Sequence, residues 1–289
     1  MCTAIGSKVA WVSNVGATDG SHISTETVQG SAQPPPILSA SNEPLQKAND
    51  APMVRFSEKE EIVLKAMLSQ DLDVFAQGGK SAFGESPDAQ PYVVTIANEL
   101  QKEYENNEVA GDKRFRRMAI LLRGNVASID RSIGENYFVS LVGGTNMFLH
   151  PKAKMADGYT DYMAELKKGQ AVQLACIGDG MLMGSAMVSN CRPYEIWRDE
   201  TVNALVTGIP SRAKSGDKAS LVMATMAIVV TPSLPATSAC WSDKSTGKCS
   251  EEISKKIVDK MHSKSKAELR GIVAARLQIA PSELDKLTK

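Results

Sequence analysis

The sequence predicts an α+β protein built on a closed barrel of five short strands in the order β-β-β-α-β-β, flanked by helices on both sides. Three observations predict it. Between Arg116 and Arg192, runs of alternating apolar residues are separated by glycine turns, and a single helical insert falls between the third and fourth runs. The first strand is expected over Arg116 to Asp130, where Ile120, Leu122 and Val126 share one face and Gly124 relieves the bend of a small barrel. The second runs from Asn136 to Val142. Gly143-Gly144 then turns the chain into a third strand, Asn146 to His150, which Pro151 ends. Asp157 to Lys168 (DGYTDYMAELKK) has helical spacing, with Gly169 as its C-terminal glycine. The last two strands, Ala171 to Ile177 and Met181 to Cys191, are joined by Gly178-Asp179-Gly180. This order is the plan of an OB-fold.

Four stretches in this region also carry a resemblance. ANELQKEYENNEVAGDKRF (97–115), GNVASID (124–130), LKKGQAV (166–172) and CIGDGMLMGSAMVSNC (176–191) resemble successive motifs of the tRNA-anticodon-binding-like OB-fold family of bacterial proteins. The resemblance covers about residues 92–192 and implies an OB barrel. It implies nucleic-acid binding only through kinship with anticodon-binding barrels, so it speaks to architecture more than to activity. One departure stands at Phe115-Arg116-Arg117-Met118, where the family pattern carries a lysine-and-glycine turn. The approach to the first strand is more basic here.

Length and charge bound what surrounds the barrel. A chain of 289 residues, 43% hydrophobic, has to bury more than one small barrel. The formal net charge is zero, which argues against a dedicated nucleic-acid coat, but the charges are segregated. From Ser57 to Asp112 there are twelve acids against four bases, whereas Lys113 to Arg192 and Lys244 to Lys289 each have eleven bases against six acids. The expected organisation is a disordered, Ser/Thr/Gly/Pro-rich segment over 1–56, an acidic helical segment over 57–112 and the barrel over 113–192. A linker with an apolar run follows over 193–243, then a basic helical segment over 244–289.

The flanking elements follow from caps and periodicity. Ser57-Glu58-Lys59-Glu60 reads as a capping box ahead of Ile62, Val63, Met67 and Leu68, and Gly78-Gly79 ends that helix. A second helix is expected from about Pro91 to Asn107, with Val94, Leu100 and Tyr104 on its apolar side. Its acidic face either is simply solvated or covers a basic groove on the barrel. Trp197 to Ile209 reads as a short helix and Ser211 to Ser220 as a flexible polar stretch. Leu221 to Val230 (LVMATMAIVV) is the most apolar run; it is too short for a membrane span, and it reads as a buried segment or as a membrane-inserted one. At the end, Ser250 and Ser265 are expected to cap two amphipathic helices, and Pro281 to start a last turn. These helices complete the fold or form a small docking unit for a protein or DNA. Near the start, Pro34-Pro35-Pro36 reads as a stiff linker or a ligand for a proline-binding domain. No secretory signal is visible in the first residues.

The candidate site residues come from the barrel. If Tyr137, Val139 and Leu141 point inward, Phe138 faces out; if Met147 and Leu149 point inward, so do Phe148 and His150 face out. Outward rings beside Arg123, Lys152 and Lys154 suit single-stranded nucleic acid, because rings stack on bases and cations meet phosphates. A one-residue change of register would bury them instead. Arg116 and Arg117, with Lys113-Arg114, form the densest basic run, which reads as a phosphate contact or as the ion-pairing partner of the acidic helix before it. Cys176 and Cys191, on neighbouring antiparallel strands, are a candidate disulfide or two buried thiols, and Cys240 and Cys249 could close a loop. The scattered His22, His150 and His262 and the absence of CxxC argue against zinc, and no P-loop, nucleophile elbow or HExxH is present.

The expected function is therefore non-enzymatic, cofactor-free binding of single-stranded nucleic acid in the cytoplasm. Phe138 and Phe148 would stack, while Arg116, Arg117, Arg123, Lys152 and Lys154 would contact phosphates. The contrary class is a protein-interaction or envelope-associated module that uses the barrel as a scaffold and the 221–230 run or the C-terminal helices as its attachment.

Overall fold

Ser57 starts the described fold by reciprocal capping. Its hydroxyl accepts from the Glu60 amide while the Glu60 carboxylate accepts from the Ser57 amide at 2.7 Å, and helix α1 (Glu58–Ala76) follows. The computed structural model describes residues 55–81, 92–131, 137–242, 246–263 and 265–280. The expectations for 1–54, with its proline stub, and for Pro281 onward lie outside the described residues. Those that are described belong to one compact unit, Asp50–Lys289.

The single helix expected from Pro91 to Asn107 is instead a strand and two helices. Val93-Val94-Thr95-Ile96 forms β1 (Val93–Ile96), because a β-branched run is stiff at χ1 and here finds a parallel partner strand. Helix α2 (Ala97–Asn106) follows at once and buries Leu100, Gln101 and Tyr104. Asn107 then leaves helical geometry, and its side chain accepts from the Ala110 amide at 3.1 Å to start α3 (Glu108–Phe115).

The barrel consists of β2 (Ala119–Arg131), β3 (Tyr137–Leu141), β4 (Lys152–Met155), α4 (Thr160–Glu165), β5 (Ala171–Leu182) and β6 (Ser185–Pro193). Its strands are ordered β2-β3-β4-β6-β5, and β5 returns to β2 to close the ring; β4 and β6 are parallel and every other barrel pair is antiparallel. This is a closed five-stranded OB-fold barrel. The first half of β2 pairs with β5 on one side, and β1 fills the other side, where β3 has not yet begun.

Two barrel connections differ from the expected ones. Asn146 to His150 is not a strand: the Asn146 side chain accepts from the Phe148 amide, the Leu149 amide donates to the Asn146 carbonyl, and the stretch folds into turns. Pro151 precedes β4 instead of ending it, its carbonyl accepting from the Leu141 amide at 2.9 Å. The last hairpin does not turn at Gly178-Asp179-Gly180. It turns at Met183 and Gly184, both at positive φ, as a two-residue hairpin requires. Gly178 and Gly180 flank a bulge within β5, and a Cβ on Gly178 would overlap the Phe115 carbonyl. The helical insert is also shorter than expected, and Gly169 sits in a separate turn after it, donating its amide to the Val126 carbonyl.

Strand alternation gives the β2–β5 wall two faces. Ile120, Leu122, Val126, Leu174 and Cys176 point into the barrel core with Val139, Leu141, Ala153 and Val188. Leu121 and Ala175 point the other way, into a second core made by helices. That core contains α1, α5 (Tyr194–Ser215), α6 (Lys218–Val230), α7 (Thr246–Ser263) and α8 (Lys266–Leu277).

Helix α5 runs well past the expected end at Ile209, so Ser211 to Ser220 is not a flexible stretch. Gly216, at φ 97°, ends α5, and Asp217 immediately caps α6 by accepting from the Ser220 amide at 3.0 Å. The apolar run is α6, buried through Leu221, Met223, Ala224, Ala227, Ile228 and Val230. Among the described residues no helix is long and apolar enough to cross a membrane. Ser265 caps α8, but Ser250 lies inside α7, where its hydroxyl donates to the Ala66 carbonyl of α1. Arg276 of α8 bonds both Glu60 carboxylate oxygens and the Arg55 carbonyl, tying the end of the helical layer to its beginning. Disulfides join Cys176 to Cys191, between β5 and β6, and Cys240 to Cys249.

Candidate nucleic-acid interface

The β2–β3–β4 register decides which side chains share an outer face. Phe138 lies between Asp130 on β2 and Lys154 on β4, and Ser140 lies between Ser128 and Lys152. Val139, Leu141, Ala153 and Met155 are buried in the barrel core, so these two cross-strand rows point away from it. The described helices pack mainly on β1, β2, β5 and β6, and on the β3–β4 face Ser140 is nevertheless buried. Lys154 is exposed, while Phe138 and Lys152 are half-buried. Asp130 is tied down by two hydroxyls, accepting from Ser140 at 2.7 Å and Ser128 at 2.8 Å through one oxygen. Tyr137, expected to point inward, sits at the strand end beyond the core and is exposed, with the Arg131 guanidinium 5.9 Å from its ring centre.

Two loops flank one end of the barrel, and α2 holds both. Wholly buried Gln101 donates to the Gly184 carbonyl at 2.7 Å and accepts from the Ala186 amide at 2.8 Å, which fixes the β5–β6 hairpin. One turn later, the Glu105 carboxylate accepts from the Thr145 amide and hydroxyl, at 2.9 and 2.7 Å, and fixes the β3–β4 connection. Desolvation pushes the Glu105 carboxyl up, but the bonds from Thr145 and Gln101 outweigh it and leave its pKa below the usual range. The tips of these loops are apolar and open to solvent: Met147 and Phe148 on one, Leu182 and Met183 on the other, with Met183 91% exposed. Met147 therefore does not point inward, and Phe148 is not a strand residue beside Phe138.

The remaining sequence-predicted cations lie elsewhere. Arg116 pairs with Asp112 at 2.9 Å and Arg114 with Glu103 at 3.4 Å, so part of the basic run is engaged by the acidic helices before it. Arg117 takes a positive φ of 62°, and its amide donates to the carbonyl of Gly178 in β5. Arg123 projects from the β2–β5 wall, between Ile96 and Gln173 in the sheet. The structure thus gathers Phe138, Lys152 and Lys154 on one face and sets Arg116, Arg117, Arg123 and Phe148 apart from that strand pair. Sequence reasoning missed Gln101 and Glu105, whose partners are 40 or more residues away. No group of three or more His, Cys, Asp or Glu side chains among the described residues is arranged to hold a metal ion.

A family model described as tRNA_anti-like matches residues 60–192, a span that runs from the first turn of α1 to the end of β6 and encloses the whole barrel. No curated protein matches the chain.

Proposed function

We propose, taking residues 60–192 as a tRNA_anti-like domain, that this protein binds single-stranded nucleic acid without catalysis and that the strand lies across the outer face of β3 and β4. The observation that carries the reading is the register that sets Phe138 directly across from Lys154, with Lys152 in the next outward row. An aromatic ring there offers a base a stacking partner worth about 1–3 kcal/mol, and the lysines meet phosphates without reading sequence. Strands two and three are the surface OB-folds commonly use for oligonucleotides. Asp130 opposes part of this charge, so the affinity is modest.

The test is fluorescence anisotropy of labelled single-stranded DNA and RNA oligonucleotides of one mixed sequence, titrated with the full chain across a salt series. Phe138→Ala should weaken binding roughly 5- to 150-fold, the loss of one stacked base. Lys152→Ala with Lys154→Ala should flatten the logarithmic salt slope by about 1.4, the share of two phosphate contacts on a single strand. No binding at low salt by the intact chain retires the reading.

A second reading has observations of its own. Two disulfides suit a protein that works in an oxidising compartment, and the apolar loop tips suit a protein partner. In that reading the barrel is an envelope-associated scaffold. Thiol alkylation of freshly lysed cells, with fractionation, separates the two: free thiols in the cytoplasmic fraction exclude this one.

A further inference from the structure

A solvent-open cavity of about 560 Å³ lies against the β2–β5 wall, and the β3–β4 face does not use it. Alternation explains what lines it. Leu121, Arg123 and Asn125 point out of β2 on the same side. Leu121 is covered by the helical layer, and Arg123, two residues on, lies at the margin of that cover. Arg123 is half-buried, yet it forms no ion pair with any described residue, and its Nε is fully buried with no hydrogen-bond partner. Arg114, Arg116, Arg192, Arg198 and Arg276 are all paired. A half-buried, unpaired arginine lacks the compensation that such a charge ordinarily finds.

The surroundings add to the positive pole. Helix α2 begins without a side-chain cap, and Ala97 of its first turn borders the cavity, so the positive end of the helix faces the same space. Ile96 and Ala171 supply apolar lining. Glu195, from the first turn of α5, also borders the cavity, exposed and without an ion pair to any described residue. The volume is that of an ordinary small-molecule site.

We propose that this cavity binds a small organic anion, with a carboxylate or phosphate head on Arg123 and an apolar body of about benzoate's size over Ile96 and Ala171. Glu195 repels a second negative charge, so the site takes molecules that are anionic at one end only. This site is separate from the nucleic-acid face and stands whether or not that reading holds.

The experiment is calorimetric titration of the full chain with benzoate, phenyl phosphate, benzyl alcohol and benzylamine. At least one of the two anions should bind about tenfold or more tighter than benzyl alcohol, as a charged hydrogen bond implies, and whichever anion binds tighter identifies the head group. Arg123→Gln should erase that preference. Ala171→Trp, at an exposed strand end, should fill the cavity and abolish binding with the guanidinium still in place, which keeps the test open if the arginine variant folds poorly. Glu195→Gln should tighten anion binding a few-fold. Oligonucleotide affinity should be unchanged in Arg123→Gln. Equal affinity for neutral and anionic probes, preference for benzylamine, no binding at millimolar concentration, or unchanged anion binding in both cavity variants would overturn the proposal. So would a parallel loss of oligonucleotide and anion binding in Arg123→Gln.

Discussion

Replacing Gln101 by methionine should loosen the end of the barrel that carries both flanking loops. The two side chains have nearly the same length and volume, so Gln101→Met removes hydrogen bonds without opening a cavity. Three contacts are lost, the least costly being the 3.2 Å bond to the Glu105 carboxylate, which keeps its bonds from Thr145. The Ala186 amide, fully buried, loses its acceptor at 2.8 Å, and an orphaned buried amide costs about 1–3 kcal/mol. The Gly184 carbonyl loses its donor at 2.7 Å, worth about 1 kcal/mol more, since a carbonyl at a hairpin turn can recruit water. The sum is about 2–4 kcal/mol. For a unit of this size each kcal/mol moves the melting temperature by about 2–4 °C, so a drop on the order of 10 °C is expected by circular dichroism. The loss should also be local, with the Ala186 amide exchanging with deuterium far faster than in the parent protein. A variant that melts within a degree or two of the parent with Ala186 still protected would refute the assignment of Gln101 as the hairpin's anchor.

Other changes test other parts of the structure. Burial pushes the Glu60 carboxyl up, but hydrogen bonds from Arg276 and Ser57 outweigh it and lower its pKa from 4.5. Because the folded value lies below the unfolded one, the stabilisation is present above about 4.5 and is lost as pH falls through the folded value. Urea unfolding at stepped pH should therefore show a shallower acid decline for Glu60→Gln than for the parent, and equal slopes would discard the linkage. Gly178→Ala should cost about 3 kcal/mol or more because its Cβ has only the Phe115 carbonyl to displace, whereas Gly247→Ala, on an open helix surface, should be neutral or mildly stabilising in the same melts. The disulfides close spans of 15 and 9 residues, so reducing both should cost up to about 6 kcal/mol on the chain-entropy model, seen as a lower urea midpoint in dithiothreitol. An unchanged midpoint would mean that the bonds stabilise nothing.

Much of the barrel could be read from residues because its signals are local. Ser57 and Ser265 cap their helices through partners three residues away, and the alternation around Val139 and Leu141 was enough to turn Phe138 outward. Pro151 misled because proline borders a strand equally well on either side; only the bond from Leu141 shows that β4 lies after it. Val93 to Ile96 fitted a helical window with the residues that follow, and pairing with β2 made it a strand. Nothing beside Gln101 in the chain marks it as buried. Its burial depends on a hairpin more than 80 residues downstream, which no window of sequence contains. The same reason scattered the basic residues: Arg116, Arg123 and Lys154 read as one basic face along the chain, but the fold sets them at the end of α3, on the β2–β5 wall and on β4.

Leu121 and Leu122 are chain neighbours sealed into different interiors, one among helices and the other inside the barrel. The sequence likeness ends at Arg192, but the fold does not, since α5 packs on β5 and β6 and its layer shares one core with Leu121 and Ala175. A fragment trimmed to the barrel would carry a greasy outer wall into water and clump, however faithfully its strands paired. The piece to express, transplant or fuse is thus the barrel with its helices attached, and the border of the family match is not a place to cut.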